Sequence, residues 1–110
     1  MDSRRQQKVS KVILQDLADI FRRESKTMFD GAFITVTIVR VSPDLSTARV
    51  FLSIMGKNKE EIMKLIEKQN KSIRRDLAAR VRHQLRKVPE LLFKIDDSLD
   101  YYEEINELLK

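Results

Sequence analysis

The chain has 110 residues, 42% apolar and 35% charged, with a net charge of +5. That suits one domain with a single modest core and is too apolar for a disordered chain; the absence of cysteine excludes disulfides, thiolate metal sites and cysteine nucleophiles. No apolar run approaches the roughly 18 residues of a membrane span, and the charged start "MDSRRQQKVSK" leads into no signal-peptide core, so a cytoplasmic protein is expected.

In chain order, Val9, Val12, Ile13, Leu17, Ile20 and Phe21 recur at three and four and predict an amphipathic helix over 4–24. "AFITVTIVRVS" (32–42) is β-branched and alternating, which predicts a strand. "SPDLS" has the chemistry of a type I turn. "TARVFLSI" then returns as a second strand with Ala48, Val50, Leu52 and Ile54 on one face, an antiparallel hairpin. Asn58, with Glu61 three residues on, predicts a capping box and a helix whose buried stripe is Ile62, Leu65 and Ile66. The period breaks at Gln69-Asn70-Lys71, and a further helix is expected to run to about Lys87, since Pro89 forbids extension. Leu91, Phe93 and Ile95 alternate with Leu92, Lys94 and Asp96 as a third strand. Asp97 and Ser98 would cap a short acidic helix over 98–110, with Leu99, Tyr102, Ile105 and Leu109 apolar. The order α-β-β-α-α-β-α gives a two-layer α+β domain spanning 1–110, a three-stranded sheet with helices on one face.

Charge is concentrated in mid-chain. Residues 57–87 hold 11 bases against 4 acids, whereas residues 88–110 hold 2 bases against 7 acids. On a helical projection with Leu77 at the buried centre, Ile73, Val81, Gln84 and Val88 fall within about 40° of it. Lys71, Arg75, Arg82 and Arg86 fall on the far side, with Ala79 among them. Arg80 and Lys87 share a flank with His83 and Asp76, and Arg74 lies near the border of the buried face, where its head can snorkel. A helix charged only for solubility interleaves glutamate with lysine; this stripe holds no acid. Its arginines suit bidentate phosphate contact, which favours a polyanion over a merely solvated face or an acidic protein patch.

An α-β-β-α-α-β order with a basic helix after a helix–helix junction is similar to a KH domain of the bacterial, type II topology, although the chain contains no GxxG. "VTIVRVSPDLSTARVFLSI" (36–54), "IRRDLAARVRHQLRKVPELLF" (73–93) and "DDSLD" (96–100), behind a basic first helix, resemble the ribosome-binding factor A family more closely. That family also lacks GxxG and has a kink built on Ala-x-Gly, whose place here is taken by Gln69-Asn70-Lys71; Asn70 tolerates a left-handed backbone and is a good cap. The resemblance implies a KH-like, non-enzymatic ribosome biogenesis factor. It would bind the immature small (30S) ribosomal subunit and its 16S rRNA, support late maturation and 5′-end rRNA processing, and leave as the subunit completes. Carried onto this chain, the RNA contacts are Lys71, Arg74, Arg75, Arg82 and Arg86, with Arg80 and Lys87 beside them and a second set at Arg4, Arg5, Lys8 and Lys11. A monomer is expected, with no cofactor, metal or small-molecule substrate. The alternative is a protein-interaction module whose basic helix docks on an acidic protein surface.

Other readings are weaker. His83, the single histidine, has no cysteine or paired carboxylates about it and reads as a surface residue. Asp96 and Asp97 suit strand termination and capping better than Mg²⁺ binding. Phe29, Phe33 and Phe51 read as core or sheet-surface residues rather than base-stacking platforms, and no P-loop, dinucleotide fingerprint or nucleophile elbow is present. The acids of 98–110 could instead lie near the basic helix and compete with RNA.

Overall fold

The structure of the protein, a computed structural model, describes residues 2–96. Helices α1 (Arg4–Arg23) and α2 (Ser25–Met28) lead into β1 (Phe33–Val41) and β2 (Thr47–Met55). Helices α3 (Lys59–Lys68) and α4 (Asn70–Val81) precede β3 (Glu90–Ile95). The α-β-β-α-α-β order stands as expected apart from the one-turn α2; the acidic helix expected over 98–110 lies outside the described residues.

The sheet runs β1-β2-β3, with β1 and β2 antiparallel and β2 and β3 parallel. One face of each strand is buried: Val36 and Val39, Val50 and Leu52, Leu91 and Phe93. Against this face lie Leu17 and Phe21 of α1, Ile62 and Ile66 of α3, and Ile73 and Leu77 of α4, all at 2% exposure or less. At about 1.5–3 kcal/mol for each such side chain, this single layer contact is the main stabilising term. The Phe21 ring anchors its centre, 5.2 Å from Phe29 and edge-on to Phe93 at 5.9 Å.

The start of α1 is fixed by a reciprocal capping box that the sequence reading missed. Ser3 Oγ accepts from the Gln6 amide, and Gln6 Oε1 accepts from the Ser3 amide. Buried Gln6 then donates through Nε2 to the Val41 carbonyl at 2.9 Å, tying the helix to the end of β1. The hairpin turn closes with the Leu45 amide on the Ser42 carbonyl at 2.9 Å. Asp44 Oδ1 accepts from the Ser42 and Ser46 hydroxyls and the Ser46 amide, which lowers its carboxyl to about 2. A bulge at Thr37 interrupts the β1–β2 register between Val36 and Ile38.

The helical pair meets at one residue. The Asn58 side chain caps α3, accepting from the amides of Glu60 and Glu61. Gln69, at φ −97° and ψ 9°, both ends α3 and opens α4, so the kink forms without glycine and without a left-handed residue. Asn70 is helical, and its Nδ2 donates to the Leu91 carbonyl at 2.9 Å, joining α4 to β3.

The helix expected to reach Lys87 ends six residues earlier, at Val81. The amides of Gln84 and Leu85 both turn back to the Val81 carbonyl, tightening the chain out of helical geometry. The topology requires this. Because β3 is parallel to β2, the chain must begin β3 beside the start of β2, with the Glu90 amide on the Ser46 carbonyl; six more helical residues would carry it about 9 Å further along the helix axis. Gln84, expected on the buried face, is consequently exposed.

Candidate nucleic-acid interface

The segment from Arg82 to Pro89 folds back beside α4, and the two together with β3 enclose an open cleft of about 720 Å³. Its floor is apolar: Ala78, Leu85, Val88, Leu91 and Leu92. Its walls carry Lys71, Arg74 and Arg75 from α4 and Arg82 and Arg86 from the connecting segment, with Glu90 the one acid among the lining residues. The expected straight stripe is therefore a basin. Arg82 and Arg86 still join Lys71 and Arg75, but from across a cleft rather than along one helix.

Within this set the cations differ in employment. Lys71, Arg75, Arg82 and Arg86 are exposed, and among the described residues none makes an ion pair. Arg74 is spent internally: its guanidinium donates to the Val88 carbonyl at 2.7 Å and the Pro89 carbonyl at 3.1 Å, clipping the connecting segment to α4. Arg80 points away from the cleft and is neutralised by α1, with Nη1 2.6 Å from Asp19 Oδ2 and 3.6 Å from Asp16 Oδ1. The Arg80 guanidinium, and then that of Arg22, holds the Asp19 carboxyl below its ordinary value. His83 is exposed, 3.5 Å from the Arg82 side chain.

The chain-start cations meet the same surface. Arg5 and Lys8 line a second groove, of about 620 Å³, with Arg86 and Lys87 on its other side and Val9, Val12, Leu45 and Leu85 beneath. Arg86 and Leu85 belong to both depressions, so the two are continuous. Arg4 and Lys11 are exposed and lie within about 60° of Lys8 around α1. The capping box and the Gln6–Val41 bond fix this end of the helix, so its cations are presented from an ordered element. Sequence reasoning missed the apolar floor; the available signal was Leu85 and Val88, two apolar residues inside a run of cations.

A sequence model of the ribosome-binding factor A family matches residues 5–109. This chain belongs to that family. The ribosome-binding factor A of Cytophaga hutchinsonii is 46% identical over 99% of this chain and 83% of its own length. The crystal structure of ribosome-binding factor A from Thermus thermophilus superposes with a TM-score of 0.69 at 21% identity, over 82% of this chain and 94% of that one. Coordinates of the Thermus thermophilus factor fitted into a cryo-EM map of its complex with the 30S subunit give 0.63 at 24% identity, over 78% and 89%. These likenesses carry the KH-like α+β fold. Among the described residues no helix of this family member is long and apolar enough to cross a membrane.

Proposed function

We propose that this protein is a ribosome biogenesis factor that binds the immature small ribosomal subunit through its 16S rRNA, supports late maturation including 5′-end processing, and catalyses no reaction itself. The observation that carries the reading is a continuous basic surface. Among the described residues, Lys71, Arg75, Arg82 and Arg86 have no carboxylate partners about one cleft, and Arg86 leads on to Lys87, Arg5 and Lys8. Cations held apart by a rigid scaffold can replace the counterions of folded RNA at little ordering cost, and phosphate contacts of this kind position rather than specify. Arg74 and Arg80 take supporting roles: one holds the cleft's wall in place and the other holds α4 on α1. The apolar floor is suited to unstacked bases of single-stranded segments rather than to a duplex groove.

Reversing Arg75, Arg82 and Arg86 together to glutamate tests this. The variant is expected to keep its thermal transition and to lose co-sedimentation with immature small subunits. For the native protein, four phosphate contacts on single-stranded RNA give a log–log salt slope of roughly −3. Undiminished co-sedimentation of the variant, or a slope near zero, would overturn the reading. Binding that survives nuclease treatment would favour an acidic protein surface as the partner.

A further inference from the structure

The basic cleft does not end at its own rim. Leu92, one of its lining residues, is 46% exposed and belongs to the outer face of the sheet, the face turned away from the buried layer. On that face Leu92 pairs with Arg49 and Arg49 with Arg40, a row that crosses all three strands from the cleft to the far edge. The adjoining row is Lys94, Phe51 and Ile38, paired in the same way. The two rows form one block of three cations and three apolar side chains, and Thr35 opposite Ser53 bounds it on one side.

Arg40 and Arg49 are both exposed and directly opposite one another. The Cβ atoms of such a pair lie about 4.5–5.5 Å apart, and like charges so placed weaken a sheet. Among the described residues neither arginine makes an ion pair. Two acids border the block without relieving it. Glu90 lies diagonally from Arg49 and forms no ion pair with it, and Asp96, two residues beyond Lys94, accepts through Oδ2 from Thr37 Oγ1 at 2.6 Å. An uncompensated pair of this kind is a site for an external anion, and its spacing lets both guanidinium groups close on a single phosphate. A peptide carboxylate would satisfy the charge too, but two features favour nucleic acid. The row starts inside the cleft, so a strand lying there reaches Arg49 after one strand spacing of about 4.8 Å and Arg40 after a second. Half-buried Phe51 and exposed Ile38 then give an unstacked base an apolar surface beside the phosphate site.

We infer that single-stranded RNA held in the cleft continues over the β3 edge onto the outer face of the sheet, with a phosphate between Arg40 and Arg49 and a neighbouring base against Phe51. The inference rests on the reading of the cleft as an RNA site and extends that site around the edge of the domain. The cross-strand repulsion is then a stability cost carried by the free protein and relieved in the complex.

Oligouridylates of about 4 and about 12 nucleotides separate the two regions. With the native full chain, both should shift the Leu85 and Val88 methyls, and only the longer one the Ile38 methyl. The double variant Arg40→Thr, Arg49→Thr should unfold at or above the native temperature, since a repulsion is removed, and should bind the short oligomer as the native protein does. It should bind the long one about fivefold more weakly at 0.1 M salt, with a log–log salt slope flatter by about 0.7, the value of one phosphate contact on a single strand. Native affinity of this variant for the long oligomer, equal weakening at both lengths, or an Ile38 methyl that the long oligomer leaves unmoved overturns the inference. So does unchanged RNA binding together with lost binding to nuclease-treated small-subunit proteins, which would give the face to an acidic protein. The reading of the cleft fails on a different result, native binding of the short oligomer by the Arg75→Glu, Arg82→Glu, Arg86→Glu variant, and the inference would then fall with it.

Discussion

Arg74 and Arg75 are adjacent in sequence and line the same cleft, yet they do different work. Arg74 ends on two backbone carbonyls of the segment leading into β3, whereas Arg75 ends in solvent with no partner among the described residues. The same division separates Arg80, held by Asp16 and Asp19, from Arg82 and Arg86. A cation's employment is set by what lies opposite it in space, which counting charges along a helix does not reveal. A basic run on one segment can therefore be part scaffold and part contact surface. The two parts should respond to different measurements.

The largest separation is expected for Arg74→Ala. It removes two hydrogen bonds from a charged donor and leaves two half-buried carbonyls to find water, a loss of about 1–3 kcal/mol. Because those carbonyls belong to Val88 and Pro89, the cleft wall should loosen with it. Urea unfolding reads the stability, and amide exchange over residues 82–90 reads the wall. Unfolding at the native midpoint would mean that the clip is incidental and that Arg74 belongs with the exposed set.

Arg75→Ala should do the reverse. An exposed side chain without partners changes stability by no more than about 0.5 kcal/mol, but loss of one phosphate contact should flatten the log–log salt dependence of RNA binding by about 0.7. Should stability fall and the salt slope hold, the assignment of the two neighbours would have to be exchanged.

What the sequence could tell follows the range of the interactions. The α1 stripe, the hairpin and the alternation of β3 are local patterns of apolar side chains, and each stands where periodicity places it. The end of α4 does not, because nothing local stops a helix between Val81 and Pro89. The chain leaves it to begin a strand parallel to β2, a demand of topology. The internal partners of Arg74 and Arg80 are not legible in the sequence for the same reason, since they lie 14 or more residues away at Val88 and on α1. The kink at Gln69 was placed correctly, but its mechanism was not. A residue in the bridge region suffices, and Asn70 serves as a link to Leu91 rather than as a left-handed turn.

The smallest effect, on acid stability, sharpens the comparison from the other side of α4. Arg80 holds the Asp19 carboxyl below its ordinary value of 3.8, so the ionised form favours the folded state. That contribution is complete above the unfolded value and is lost as pH falls through the lower folded one. Asp44, lowered to about 2 by the Ser42 and Ser46 hydroxyls, adds a loss between about pH 4 and pH 2 that is independent of Arg80. The gap in urea midpoint between native protein and Arg80→Ala should therefore be widest above the ordinary carboxylate value of 3.8 and shrink as pH falls through the lowered folded one, since Asp19, once protonated, no longer rewards the guanidinium. Arg75→Ala, whose native side chain pairs with no carboxylate among the described residues, should show no such closing gap. A gap for Arg80→Ala that does not shrink as pH is lowered through the acid unfolding range would mean that Arg80 supports α4 through the packing of its stem, and the division between scaffold and contact arginines would then rest on Arg74 alone.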